Sequence, residues 1–173
     1  NGLNPNNEKY FRNSLYIASE NGALENIKVL INAGADIDLE SPYYNLGKTA
    51  LIIASQNNNL DLVELLLDAG AKVLGVARNH SKQKLEHINY LTFTIDLNKS
   101  DNLEKKIKKI IQDNPDINGF VSNAGYGEFG PLENFSSKDI SEFVSMNLTS
   151  HIIITKCLLP HFKKKEIGDI IFM

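Results

Sequence analysis

Apolar residues in the first seventy positions follow a helical spacing, and the pattern occurs twice. Shifting the chain by 36 residues superimposes Leu15, Ile17, Ala18, Ser19, Asn21, Leu24, Leu30, Ala33, Gly34 and Ala35 on Leu51, Ile53, Ala54, Ser55, Asn57, Leu60, Leu66, Ala69, Gly70 and Ala71. Each copy reads as a short apolar helix, an Asn-rich corner and a second helix carrying Ile/Val-x-x-Leu. An Ala-Gly-Ala stop follows, whose glycine supplies the left-handed residue that ends a helix. The pattern predicts an all-α pair of helix-turn-helix units over residues 1–71. Repeat arrays need about three units to bury a continuous core, so two copies predict either more repeats upstream or packing against the next segment.

From Lys72 the period changes. Short apolar runs alternate with charged segments of helical period, which predicts parallel βαβ construction for residues 72–173. Strands are expected at 72–77, 90–96 and 117–122, with a short helix from Ser81 to Ile88. A lysine-rich amphipathic helix is expected from Asp101 to Gln112, with Leu103, Ile107, Ile110 and Ile111 on its inner face. A long helix should run from about Ser137 to Lys163, bent or ended near Pro160, before a last strand begins at Asp169. The fold class is α/β: a partial Rossmann-type, doubly wound parallel sheet preceded by a small all-α repeat pair.

Composition narrows the function. A net charge of −3 and a pI near 5.8 argue against nucleic-acid and anionic-membrane partners, which select a basic excess. No apolar run reaches the length of a membrane span, and the lone Cys157 cannot form an internal disulfide. Both fit a cytoplasmic setting. His151 and His161 have no partners at metal-ligand spacing, so no metal site is expected and neither histidine is assigned a role. The chain starts at Asn1 and stops at Met173 inside an apolar stretch, which predicts a fragment.

Gly47-Lys-Thr-Ala-Leu-Ile-Ile-Ala-Ser55 through Leu62-Val-Glu-Leu-Leu-Leu-Asp-Ala-Gly-Ala71 resembles the ankyrin repeat. The resemblance implies that Thr49 caps a helix, that Ala18 and Ala54 let helices approach closely, and that the module binds a protein partner. Asp36, Asp38, Tyr43 and Tyr44 are the candidate contacts, with solvated loop residues as the plain alternative. The second half resembles the short-chain dehydrogenase/reductase family through Val121-Ser-Asn-Ala-Gly125, Arg78, Asp96-Leu97 and Ser145-Met-Asn147-Leu. By that resemblance Arg78, Asp96, Leu97, Asn123, Ala124 and Gly125 bind a nicotinamide cofactor, and Asn147 belongs to the catalytic proton relay. A guanidinium at Arg78 suits a 2′-phosphate, so NADP is the expected cofactor. The alternative for Asp96 is a turn aspartate at a strand end.

Two parts of the family pattern are missing. The loop between its first strand and helix needs glycines for the pyrophosphate, but Ile53-Ala-Ser-Gln-Asn-Asn-Asn59 has none. The catalytic serine, tyrosine and lysine would follow Met173 in the family's order. The resemblance therefore implies a fragment of an NADP-preferring oxidoreductase fused to ankyrin-like repeats, not catalytically competent as given. The alternative is an interaction module with a relic α/β part. Residues 47–71 remain open between an ankyrin repeat and the first Rossmann strand and helix. If 47–53 are helical, the parallel sheet loses its middle.

Overall fold

The computed structural model describes residues 14–39, 48–81, 85–99, 102–166 and 168–173. Contacts divide the chain into two units: the described parts of 1–75 with 83–91, and of 76–82 with 92–173.

In the first unit the 36-residue repeat becomes two helical hairpins. Helices α1 (Ser14–Glu20) and α2 (Leu24–Asn32) form one, and α3 (Ala50–Gln56) and α4 (Leu60–Asp68) the other. The corners repeat as well: Gly22 and Asn58 both take positive φ, as do the terminating Gly34 and Gly70. Thr49 caps α3 by accepting the Ile52 N–H, and Asn59 caps α4 by accepting the Leu62 N–H. Leu15, Ala18, Ile27, Ala50, Ala54, Leu62 and Leu66 belong to one core, and α1 packs on α3. Residues 50–56 are thus helical, which decides for the ankyrin-type backbone there. Tyr43 and Tyr44 lie outside the described residues.

Strands β1 (Val73–Ala77) and β2 (Tyr90–Thr94) pair as one two-stranded sheet. The bonds Val73 N–H to Asn89 O and Ile95 N–H to Ala77 O advance together along both strands, so the pair is parallel. Strands β3 (Gly119–Ser122) and β4 (Asp169–Phe172) form a second parallel pair, Gly119 opposite Asp169 and Ser122 opposite Phe172. The sheet is therefore divided in two, as expected once residues 50–56 are helical and add no strand. Helix α5 (Leu103–Asp113) packs on α7 (Ser150–Lys165), burying Leu103, Ile107 and Ile110 in one unit with Ile154, Leu158 and Phe162.

Three expectations need correction. The helix expected from Ser81 to Ile88 is not seen in its described parts. Asn79 Oδ1 takes the Ser81 N–H in a local turn, His87 Nδ1 takes the Asn89 N–H, and Asn89 Nδ2 bonds Leu67 O. The long helix does not end at Pro160, which sits inside α7. Helix α7 runs on to Lys165 and stops at Glu166, whose φ is +58°. Pro160 and Lys156, whose carbonyl loses its partner, are both exposed, so water can take that carbonyl. Finally, the long helix is not uniform: α6 (Ser137–Val144) passes into a π-helical turn, Ser145–Thr149, before α7.

Helix α6 starts in a full capping box. Ser136 Oγ accepts the Asp139 N–H, and Asp139 accepts the Ser136 N–H. Hydrogen bonds from Ser136 hold the Asp139 carboxyl below its ordinary range. Because the folded value is the depressed one, the contribution is present above the unfolded value and disappears as pH falls through the folded one. Protection of the Ser136 and Asp139 amides, measured relative to their intrinsic exchange rates at each pH, should therefore fall in acid, and Asp139→Asn should remove that pH dependence.

Candidate functional site

Beyond the ends of β3 and β4 lies a cleft of about 510 Å³ lined by Ser122, Asn123, Ala124, Gly125, Tyr126, Asn147, His151, Phe172 and Met173. In open α/β sheets the carboxyl ends of strands are where ligands bind, because the loops leaving them splay apart.

Asn147 shapes the cleft. Its Oδ1 accepts the Tyr126 N–H at 2.9 Å and its Nδ2 donates to Tyr126 O at 2.7 Å. This two-point clamp uses the side chain as a substitute strand partner for one residue of loop. A Cβ on Gly125 would stand 2.7 Å from Asn147 Oδ1, so only glycine allows the approach. The π-helical turn, an irregularity often found at functional sites, lies at Asn147. The Tyr126 ring is stacked obliquely on Phe143, 5.2 Å between centroids.

Below the clamp, Ser122 Oγ is hydrogen-bonded to His151 Nδ1, and both residues are buried. The His151 ring meets Phe172 edge-on. Sequence reasoning passed over Ser122, Tyr126 and His151. A signal existed, since His151 lies one helical turn after Asn147 and Ser122 directly precedes Asn-Ala-Gly. His161, by contrast, bonds Ile117 O at 2.9 Å and ties α7 to the approach of β3.

Of the expected site residues, Asn123, Ala124, Gly125 and Asn147 meet in the cleft, whereas Arg78, Asp96 and Leu97 are not among its lining residues. Arg78 is exposed directly after β1. Asp96 Oδ1 accepts the Asn98 N–H at 3.1 Å, the turn role given as its alternative, and Leu97 is buried. Cys157 is buried and its thiol is pushed up by desolvation, which disfavours the reactive thiolate. Among the described residues no group of three His, Cys, Asp or Glu side chains could hold a metal ion.

The residues fit a nicotinamide dinucleotide only in part. The cleft is of small-molecule size, and Arg78 is an exposed cation after a strand. The pyrophosphate has no cradle in residues 50–59, which form helix α3 and the Asn57-Asn-Asn59 corner in place of a strand and glycine turn.

Residues 1–76 match the family described as ankyrin repeats in three copies, and residues 48–173 match short chain dehydrogenase. Both therefore cover 48–76. A probable chloroplastic chlorophyll(ide) b reductase of Oryza sativa is 28% identical over 100 residues, 57% of this chain and 20% of its own length. An uncharacterized oxidoreductase of Schizosaccharomyces pombe is 28% identical over 83 residues, 48% of this chain and 35% of its own. The chain thus spans a fifth to about a third of these relatives. A metagenomic short-chain oxidoreductase, solved in complex with NADP, shares the fold at a TM-score of 0.56 and 22% identity, over 62% of this chain and 51% of that one. With 48–173 matched and the strand-end cleft in place, the chain belongs to the short chain dehydrogenase family.

Proposed function

We propose that residues 72–173 are the nucleotide-side part of an NADP-preferring short-chain oxidoreductase acting on alcohols or carbonyls, joined to an ankyrin-like module of residues 1–71. The cleft carries this reading, because Asn123-Ala-Gly125 lines it at the strand ends and Asn147 clamps the next residue, Tyr126. In it, Asn123, Ala124 and Gly125 face the nicotinamide end, Arg78 takes the 2′-phosphate, and Asp96-Leu97 borders the adenine. NADP would supply a hydride donor or acceptor. The chain's own part is to orient that end and exclude water. Without glycines in 50–59, binding is weak. The cleft lining contains one tyrosine, Tyr126, and no lysine, so these residues do not supply the family's proton route to a carbonyl. A cytoplasmic setting fits Cys157, which has no disulfide.

Titration with NADPH, followed by its fluorescence, tests the reading. A response is expected, with Arg78→Ala weakening NADPH about tenfold or more and leaving NADH nearly unchanged. Absence of any response up to about 1 mM, where binding is worth only about 4 kcal/mol, sinks it.

A second reading, a protein-binding module, rests on the ankyrin match over residues 1–76 and on the exposed turn at Asp36 and Asp38, where Asp36 Oδ1 accepts the Asp38 N–H. In that case the full chain co-purifies with a partner, and Asp36→Lys with Asp38→Lys abolishes the capture.

A further inference from the structure

Strand β3 is open on one side. The bonds Asp169 N–H to Asn118 O and Met173 N–H to Ser122 O, with Gly119 opposite Asp169, turn the backbone of Phe120 and Ser122 toward β4. Successive residues of a strand face opposite edges, so Gly119 and Val121 present their N–H and C=O groups to the other side. Among the described residues no strand pairs there, because this sheet has two members. Natural sheets shield such an edge with a lysine, a proline or a bulge, whereas Gly119-Phe-Val-Ser122 carries neither charge nor proline. Gly119, Phe120 and Val121 are also half-buried, so both faces of the strand are partly covered up to the line where pairing stops.

We infer that this edge is a docking site for an extended aliphatic segment of a partner protein, which joins the sheet as a third strand. The chemistry of the edge fixes the occupant. Two donors and two acceptors in alternation are the complement of an extended backbone and of little else. A strand buried on both faces reads as a near-continuous aliphatic run, and beside the half-buried faces of β3 a charged segment would lose hydration without a partner. A second copy of the chain is a poorer match, because its own open β3 edge offers Gly119, which has no side chain to bury. The site stands apart from the nucleotide reading, since Gly119 and Val121 are not in the cleft lining.

The probe is a dansylated peptide, Lys-Thr-Ala-Leu-Ile-Ile-Ala-Lys, an aliphatic run with the order of residues 48–54 and a final lysine for solubility, titrated into the full chain. Saturable binding is expected. At saturation the Gly119 and Val121 amides should gain about tenfold or more in exchange protection, while Phe120 and Ser122, already bonded to β4, change by less than about twofold. Two N-methylated peptides sharpen the test: methyls on Ala and the first Ile, or on Leu and the second Ile, remove donors from opposite edges. One pattern should weaken binding about tenfold or more and the other less than about threefold. Val121→Pro, which deletes an outward N–H and leaves the β4 ladder intact, should abolish binding. Equal weakening by both methylation patterns, or protection spread evenly over residues 119–122, overturns the edge. No saturable binding up to about 1 mM overturns the docking site. Protection of the two outward amides that rises with protein concentration in the absence of peptide gives the edge to a second copy and overturns the partner. The methylation comparison needs no variant, so it decides even if Val121→Pro does not fold.

Discussion

Leu66→Ala should cost the repeat pair about 3 kcal/mol, and its repeat mate Leu30→Ala clearly less. The two leucines occupy the same position of the 36-residue repeat, yet Leu66 is wholly buried whereas Leu30 is only partly so. The difference is one of neighbours. Leu66 sits in the α3–α4 hairpin among Leu15, Ala50, Ala54, Leu62 and Ala71, while Leu30 packs at the margin of that cluster. Two hairpins make a small core, and 3 kcal/mol is a large share of a marginal unit's stability. Loss of helical ellipticity at lower denaturant in Leu66→Ala than in Leu30→Ala is the expected result. Equal midpoints would mean that α2 and α4 are buried alike, and the stacking described here would be wrong.

The segment 48–56 shows where sequence reading stops. Leu51-Ile-Ile53 is a continuous apolar run, suited equally to a buried parallel strand and to a fully buried helix. The short chain dehydrogenase match begins at residue 48 and the ankyrin match ends at 76, so the ambiguity lies in the residues themselves. The helix prevails because its partners are specific. Thr49 caps it, Ala50 and Ala54 are buried in the core it shares with Leu15 and Ala18 of α1, and Asn57-Asn58-Asn59 makes a left-handed corner that an extended strand does not need. Ala54→Val discriminates: overpacking in the helical hairpin should cost about 1–3 kcal/mol, whereas a strand would gain from a β-branched residue. The repeat, its caps and stops, and the three strands after Lys72 were legible because they depend on local chemistry. The Ser122–His151 pair was not, because 29 residues separate its members and only the packing of α7 behind β3 joins them. The helix expected at 81–88 is not seen in the described residues 81 and 85–88 for the opposite reason, since Asn79 and His87 side chains capture nearby backbone amides.

Gly125→Ala and Asn147→Ala should each loosen the cleft, and the two losses should not add. The added methyl of Gly125→Ala would lie 2.7 Å from Asn147 Oδ1, so the Asn147 side chain must withdraw from Tyr126. The expected cost is about 1–3 kcal/mol, of which part is the broken clamp. Asn147→Ala deletes two side-chain to backbone bonds at an exposed loop, about 1–2 kcal/mol, but also removes the atom with which the methyl collides. In that background Gly125→Ala meets open space and should cost only a few tenths of a kcal/mol. A double-mutant cycle should therefore return a coupling of about 1 kcal/mol or more between the two positions. Tyr126 amide exchange gives the local readout: it should quicken in either single variant and quicken no further in the double. Simple additivity would mean that Gly125 is required for some reason other than the Asn147 clamp. The clamp would then be incidental to the shape of the cleft, and the case for Asn147 as its organising residue would fall with it.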